Sequence, residues 1–157
     1  MISPELFRNV LGRFASGVTV ITAVDGDGAP QGMTVSAFSS VSLEPPLVLV
    51  CIADDATMAP VMAQASAFGV HILGSTHEAL SRRFASQAAD RFTDVAHTVG
   101  ALGAPQLTEA LAWLQCRIVA RHPAGDHMIV VGQVEAAGTE DGSPLLYFRG
   151  RYATLST

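Results

Sequence analysis

Short strand-like segments follow one another along most of this chain, with no regular alternation of strand and helix between them. Each segment is rich in β-branched or apolar residues and is bounded by turn-forming residues. This succession favours a mainly β fold, an antiparallel barrel with a few peripheral helices. The predicted strands cover residues 18–24, 31–41, 47–53, 67–73, 113–122, 127–136 and 145–148.

Local patterns define several of these strands more closely. Residues 18–24 run into the turn Asp25-Gly26-Asp27-Gly28, which is typical of a hairpin. The uninterrupted apolar run 47–53 predicts a strand buried on both faces. In residues 113–122 apolar and polar side chains alternate, with Gln115 on the polar face, so this strand is expected to be half exposed.

Three segments have helical spacing. Ser3 and Pro4 are typical of an N-cap followed by the first helical position, and apolar residues then recur at helical spacing up to Phe14. A second helix is expected at about residues 56–65. A third is expected over residues 76–85, with Thr76 as its N-cap.

Length and composition point to one domain spanning residues 1–157. Hydrophobic residues make up 49% of the chain and charged residues only 15%, whereas soluble proteins average about a quarter. A chain with so little charge is expected to cover some of its surface with a partner, so we expect a homo-oligomer. We find neither a membrane-spanning stretch nor a secretory signal, and a cytoplasmic location is therefore expected.

The charged residues exclude several kinds of chemistry. A formal net charge of −5 argues against binding to nucleic acid through phosphate neutralisation. All nine basic residues are arginines, which excludes lysine-dependent Schiff-base and P-loop mechanisms. Cys51 and Cys116 form no CxxC pair, and the five histidines lack ligand-like spacing, so no metal site is expected. The glycines at 26, 28 and 32 miss the spacing of a dinucleotide-binding loop.

The segment 32–42 carries five hydroxyl residues on a predicted strand and the turn beyond it. They are either ordinary strand and turn residues, or a polar strip that binds a flat heteroaromatic ring with a phosphate tail. A second candidate is the pair Arg82-Arg83, of which only one side chain can face a ligand from a helix. The third is the turn Gly125-Asp126-His127, which is open to a structural or a binding interpretation.

Taken together and in order, these segments resemble the short-chain flavin reductases. The similarity extends from about Phe7 to Leu155, and the combination of TVSAFSSVSLEPPL with AGDH is its most specific part. The matching stretches are FRNVLGRFASGVTVIT, GMTVSAFSSVSLEPPLVLVCI, FGVHIL, HEALSRRFA with ADRF, GAPQL, PAGDHMIVVGQVE and PLLYFRGRY. The resemblance implies an FMN-binding split β-barrel, antiparallel and Greek-key-like.

The resemblance also implies a site. It places the flavin ring and ribityl chain along the strip formed by Met33, Thr34, Val35, Ser36, Ala37, Ser39 and Ser40. It implies backbone contacts to the ring edge from Val50, Cys51 and Ile52, and contacts to the phosphate or ribityl end from Thr57, Arg83, Phe84 and Ala85. His127, Arg149 and Tyr152 would lie on the nicotinamide side, with His127 positioning the ring without acid or base catalysis. Asp54 and Asp55 depart from the family pattern, in which these positions are often neutral or polar. Carboxylates near a phosphate would repel it.

By the same resemblance, the chain is expected to be an NAD(P)H-dependent flavin reductase. It would transfer a hydride from NADH or NADPH to FMN or FAD and supply reduced flavin to a separate flavin-dependent monooxygenase, acting as a homodimer. Two alternatives stay open at this point. One is a split-barrel module that binds flavin without reductase activity. The other is an oxidase of a pyridoxine-type phosphate, which is disfavoured by the scarcity of basic residues.

Overall fold

The computed structural model describes residues 1–156 and is mainly β, as predicted. The helices are α1 (Pro4–Leu11), α2 (Met58–Gln64) and α3 (Glu78–Ala85). The strands are β1 (Ser16–Gly17), β2 (Thr19–Val24), β3 (Pro30–Val35), β4 (Phe38–Leu43), β5 (Pro46–Ala53), β6 (Ala67–Ile72), β7 (His97–Val99), β8 (Pro105–Leu107), β9 (Ala112–Ala124), β10 (His127–Thr139), β11 (Leu145–Phe148) and β12 (Arg151–Thr154).

Seven antiparallel strands form the main sheet, in the order β3-β2-β6-β9-β10-β5-β4. Its two edge strands, β3 and β4, are consecutive in the chain and are separated only by Ser36 and Ala37. Because two residues cannot bridge a wide gap, the sheet must curl until its edges meet at this point. Beyond the link the edges separate, and the result is a barrel with a split along one side.

The barrel interior is filled by alternate side chains of the central strands. The main cluster includes Ile21, Val50, Phe68 and Val130, each with no exposed surface. A second cluster, around Leu73, Phe84 and Leu145, packs α3 against the barrel. Helix α3 is therefore held at a fixed position beside the split.

Helix α1 begins as predicted but packs differently from an ordinary amphipathic helix. The hydroxyl of Ser3 accepts a hydrogen bond from the N–H of Leu6 at 3.1 Å, which confirms the N-cap. None of the residues of the helix is buried, and its apolar side chains remain exposed. The apolar face therefore has no partner among residues 1–156.

Several sequence predictions need correction. The predicted strand 31–41 is two strands, because its first half pairs with β2 and its second half with β5. Strand β5 is buried on one face only, since its side chains alternate between buried and half-buried positions. The N-cap of α3 is His77, and Thr76 lies outside the helix. Gln115 is fully buried, where it bonds to Gln106 at 3.0 Å.

The sequence did not predict β1, β7, β8 or β12, and they are all short. Strands β1, β11 and β12 form a small second sheet, and β7 and β8 form a two-stranded arm. No helix in residues 1–156 has the length and apolar character that crossing a membrane requires.

Candidate functional site

Backbone groups that make no hydrogen bond to a neighbouring strand line the split between the two sheet edges. At the turn end of the β2–β3 ladder, the N–H of Asp25 donates to the carbonyl of Ala29. This bond fixes which backbone groups of β3 point toward β2 and which point away from it. The alternation leaves the N–H and C=O groups of Gly32 and Thr34 pointing outward from β3. In a sheet these groups need partners, so this edge is suited to binding a polar ligand.

The opposite wall of the split is the end of β5. Asp54 donates its N–H to Asp126 O at 2.9 Å, and Cys51 donates its N–H to Ala37 O at 3.0 Å. By alternation, the N–H of Ala53 points away from β10 and lies beyond the start of β4. The N–H of Ala53 therefore faces the split from the side opposite Thr34.

A cleft of about 490 Å³ occupies this split, a size within the usual range for small-molecule sites. A depression of about 270 Å³ adjoins it and shares Thr57, Gln87 and Arg91 with it. The cleft is lined by Met33, Thr34, Ala53, Asp55, Ala56, Thr57, Phe84, Ala85, Gln87 and Arg91. Five of these ten were predicted from the sequence: Met33, Thr34, Thr57, Phe84 and Ala85.

Helix α3 forms one wall of the cleft through tight contacts with β3. The hydroxyl of Thr34 donates a hydrogen bond to the carbonyl of Ser81 at 2.6 Å. A Cβ atom at Gly32 would lie only 2.7 Å from Cε1 of Phe84, so only glycine permits this approach. The ring of Phe84 is itself held edge-on against Phe92, with centroids 5.1 Å apart. The wall is therefore preorganised.

The arginine that lines the cleft is Arg91, which sequence reasoning missed. Its Nη1 donates to the carbonyls of Gly32 and Phe84, at 2.8 Å and 3.0 Å. Its other guanidinium nitrogens make no hydrogen bond with residues 1–156 and are open to a ligand. The only signal in the sequence was its place in the ADRF segment of the family resemblance.

Arg83, the residue that the resemblance implies at the phosphate, bonds to the loop that carries Arg91. Its Nε donates to the carbonyl of Arg91 at 2.7 Å, and its Nη2 donates to the carbonyl of Thr93. Arg83 does not line the cleft and instead anchors the loop that carries Arg91.

Asp90 fixes the same loop by accepting hydrogen bonds from the N–H groups of Phe92 and Thr93, at 3.2 Å and 3.1 Å. The hydrogen bond from the Thr93 hydroxyl is the main cause that lowers the pKa of Asp90. The carboxylate of Asp90 therefore stays ionised at neutral pH and keeps the turn in place.

The two acidic residues that depart from the family pattern are placed differently. Both side chains are exposed, but only Asp55 lines the cleft. A carboxylate there would favour the hydroxyl groups of a ligand over its phosphate. Thr57 offers a hydroxyl at the same place, since its side chain makes no cap hydrogen bond to α2.

Other residues expected to contact the flavin lie outside the cleft. Val35 is buried, and its carbonyl accepts a hydrogen bond from the Thr19 hydroxyl at 2.6 Å. The side chains of Val50 and Ile52 fill the core, and their backbone groups face β10. The N–H of Cys51 is already bonded to Ala37. Exposed residues at or just after the link between β3 and β4 complete this group: Ser36, Ala37, Ser39 and Ser40.

His127 begins β10 directly opposite Ala53 of the cleft wall. Its Nδ1 lies 2.6 Å from Oδ1 of Asp126, and this hydrogen bond is the main cause that lowers the pKa of Asp126. Because the carboxylate accepts, Nδ1 carries a proton in this arrangement, and the half-exposed ring can turn Nε2 toward a ligand.

Arg149 and Tyr152 lie on the β11–β12 hairpin, outside the cleft. Arg149 is exposed at the tip of the β11–β12 hairpin. Tyr152 is bonded through its hydroxyl to Oγ of Ser81 at 2.7 Å. It lines a separate depression that meets the cleft at Ala85. The structure therefore puts His127 and Tyr152 beside different walls of the cleft.

Comparison with known proteins identifies the family of the chain. Residues 11–156 match the flavin reductase like domain. The chain is 42% identical over 156 residues to an NADH-dependent flavin reductase from Rhodococcus, covering 98% of this chain and 88% of that protein. It is 44% identical over 146 residues to the reductase component of a 4-nitrophenol 4-monooxygenase/4-nitrocatechol 2-monooxygenase from Rhodococcus opacus, covering 93% and 78%.

Among solved structures, the NADH:FAD oxidoreductase SgcE6 of Streptomyces globisporus, in complex with NAD and FAD fragments, superposes with a TM-score of 0.92. It is 35% identical, and the match covers 99% of this chain and 96% of that one. The chain therefore belongs to the flavin reductase-like domain family.

Proposed function

We propose that the protein is an NADH-dependent flavin reductase that transfers a hydride to FMN or FAD and supplies the reduced flavin to a partner monooxygenase. The observation that carries this proposal is the split itself: a cleft of about 490 Å³ between two strand edges that no further strand covers. The relatives of this chain are named as reductases and as reductase components of monooxygenases. These names favour a reductase over a binding module without activity.

The residues present fit a flavin mononucleotide unit. The ring edge needs backbone donors and acceptors, and the outward-facing groups of Thr34 and Ala53 supply them. The phosphate needs a cation and a hydroxyl, which Arg91 and Thr57 supply. When bound, the flavin supplies the hydride-accepting chemistry.

The protein's own contribution is to position the reactants. We assign His127 to holding the nicotinamide, because it lies beside the cleft wall with Nδ1 tied to Asp126. Hydride transfer requires no general base, and no step here uses the imidazole as one. The backbone N–H groups at the split favour negative charge on the reduced ring. Their fixed geometry avoids reorganisation during the reaction.

A steady-state assay tests the function directly. FMN and FAD are each crossed with NADH and NADPH, and the loss of reduced nicotinamide is followed by absorbance. We expect turnover with NADH and at least one flavin, and a purified monooxygenase component should draw on the product. Flavin binding without turnover in any combination would instead favour the binding module. Hydrogen peroxide released from a pyridoxine-type phosphate would favour the oxidase.

We also propose a homodimer, because one face of the main sheet is apolar but uncovered. The side chains opposite the core on β5 and β10 are half-buried and mostly apolar, and Leu49 and Val131 pair across the two strands. Burial raises the pKa of the Cys51 thiol on the same face. A second copy is the occupant that we propose, since the low charge content predicts self-association.

Light scattering at several protein concentrations tests the dimer. Val131→Asp should shift the mass toward that of one chain, because a carboxylate at the centre of this face is costly to bury. Val99→Asp is the matched control, since Val99 is exposed on the small β7–β8 arm. A wild-type mass equal to one chain would exclude the dimer.

We propose a cytoplasmic location as well. Both cysteines are free thiols, as expected of a protein in a reducing compartment. Fractionation of cells that express the tagged protein tests this proposal. Recovery outside the cytoplasmic fraction would contradict it.

A further inference from the structure

The flavin cleft contains one acidic and one basic side chain. Among the residues that line it, only Asp55 and Arg91 carry a charge. The ion pairs found in residues 1–156 all join other residues, so the Asp55 carboxylate and the Arg91 guanidinium do not neutralise each other by direct contact. An anion that enters the cleft therefore meets both an attractive and a repulsive charge.

The backbone around Asp55 fixes its position beside the cleft. Asp54 and Asp55 are the central residues of the turn between β5 and α2, which is closed by a hydrogen bond from the N–H of Ala56 to the carbonyl of Ala53 at 3.0 Å. The N–H of Asp54 donates to the carbonyl of Asp126 at 2.9 Å, which attaches the turn to the residue before β10. The carboxylate of Asp55 therefore stays beside the cleft as long as this turn is intact.

The hydrogen-bonding capacity of Asp55 is unused. Its side chain is exposed, and no donor among residues 1–156 bonds to its carboxylate. Asp90, in the adjoining depression, differs in this respect, because its carboxylate accepts from Phe92 and Thr93 within its own loop. An ionised carboxylate has only acceptor sites, so Asp55 requires a donor from a ligand.

A second group in the cleft has no proton to donate either. The hydroxyl of Thr34 gives its proton to the carbonyl of Ser81 at 2.6 Å. Because a hydroxyl has a single proton, Oγ1 of Thr34 can only accept a hydrogen bond from a ligand. The cleft therefore presents two side-chain acceptors, at Thr34 and Asp55, and these suit a chain of hydroxyl groups such as the ribityl chain of a flavin.

Asp55 lies close to the groups that we assign to the phosphate. It precedes Thr57 by two residues, a span of at most about 7 Å. At a separation of about 8 Å and an effective dielectric constant of about 40, between the values for surface pairs and for water, the repulsion of two unit charges lowers affinity about sixfold. A phosphate bound by Arg91 and Thr57 meets this repulsion, whereas a hydroxyl in its place does not.

We infer that Asp55 sets the selectivity of the cleft between phosphorylated flavins and riboflavin. FMN and riboflavin differ only at the end of the ribityl chain, where FMN carries a phosphate and riboflavin a hydroxyl. The Asp55 carboxylate repels the phosphate and accepts a hydrogen bond from the hydroxyl, whereas Arg91 attracts the phosphate. The opposed charges therefore bring the affinities for the two flavins closer together. This inference rests on the proposed function, since it places a flavin in the cleft.

Fluorescence titration measures the dissociation constants of FMN and riboflavin for wild type and for Asp55→Asn. The ratio of the Kd for riboflavin to the Kd for FMN should rise about sixfold in the variant, mainly because FMN binds more tightly. Asparagine keeps the size of the side chain and is favoured in turns, so the variant should retain the fold. Asp55→Glu retains the charge and should keep the ratio within about twofold of wild type.

Asp54→Asn is the matched control, because Asp54 belongs to the same turn and is exposed but lies outside the cleft. It removes the same charge from the protein and should leave the ratio within about twofold of wild type. A ratio that stays constant or falls in Asp55→Asn would overturn the inference, as would an equal rise in Asp54→Asn or Asp55→Glu. Failure of wild type to bind either flavin would overturn it as well. Turnover of NADH with FMN tests the proposed function separately, because its absence would leave the binding ratios unchanged.

Discussion

Buried His71 should make the stability of this protein depend on pH between about 4 and 6.5. Its Nδ1 lies 3.1 Å from the carbonyl of Val20, and its Nε2 lies 3.1 Å from the N–H of Leu107. A carbonyl requires a donor and an N–H requires an acceptor, so Nδ1 carries the proton and Nε2 does not. Protonation of Nε2 would break the bond that ties β8 to β6.

The size of the effect follows from the burial of the ring. Desolvation is the main cause that lowers the pKa of His71 from 6.5 to about 4. Above pH 6.5 the imidazole is neutral in both states, and its contribution to stability is fully present. As the pH falls toward 4, the unfolded chain takes up a proton that the folded chain refuses. The free energy of unfolding should therefore fall by roughly 3 kcal/mol over this interval.

Urea unfolding followed by the fluorescence of Trp113, the only tryptophan, measures this at fixed protein concentration. His71→Asn should be about 1–3 kcal/mol less stable at pH 7, because the N–H of Leu107 loses its acceptor. It should also lose most of the dependence on pH. The exposed His122→Asn should keep the wild-type slope. Wild-type stability that is flat from pH 6.5 to 4.5, or a His71→Asn variant with an unchanged slope, would refute the reasoning.

Three further predictions concern the site and the core. His127→Ala should raise KM for NADH about tenfold while leaving KM for flavin nearly unchanged in steady-state assays, and equal effects on both would remove it from the nicotinamide side. Arg91→Lys should weaken FMN binding about tenfold by fluorescence titration, whereas Arg117→Lys should not, and equal affinities would contradict the phosphate assignment. Gly132→Ala should lower stability by about 1–3 kcal/mol, because the new Cβ would lie 2.6 Å from a buried phenylalanine ring. Gly26→Ala, with open space around it, should change stability by less than about 0.5 kcal/mol, and equal losses would refute the packing argument.

The strands were predictable because their sequence signals are local. Their pairing could not be predicted, because it depends on residues distant in the sequence. Alternation and β-branched residues identify β2, β6, β9 and β10 from the sequence. The hydroxyl-rich stretch 31–41 has the same pattern throughout, so nothing local marks the break at Ser36 and Ala37. That break arises because its two halves pair with strands at opposite ends of the sheet.

The site was predictable mainly where its residues lie on regular elements. Thr34 on β3 and Phe84 on α3 follow from the family motifs and do line the cleft. Arg91 could not be assigned, because it lies in an irregular loop whose shape depends on the carboxylate of Asp90 and the guanidinium of Arg83. Helical spacing predicts that Arg82 and Arg83 point in different directions from α3. It does not predict which residues each of them contacts in the folded chain.

The different positions of Arg91 and Arg83 follow from the geometry of the split. An unpaired strand edge is a liability unless something satisfies or covers it. Arg91 satisfies the Gly32 carbonyl on this edge and leaves the neighbouring groups of Thr34 for a ligand. Arg83 holds the same loop through the carbonyl of Arg91. The cleft therefore forms because the sheet closes only at the link between β3 and β4. The loop that carries Arg91 covers the Gly32 carbonyl and leaves the backbone groups of Thr34 open to a ligand.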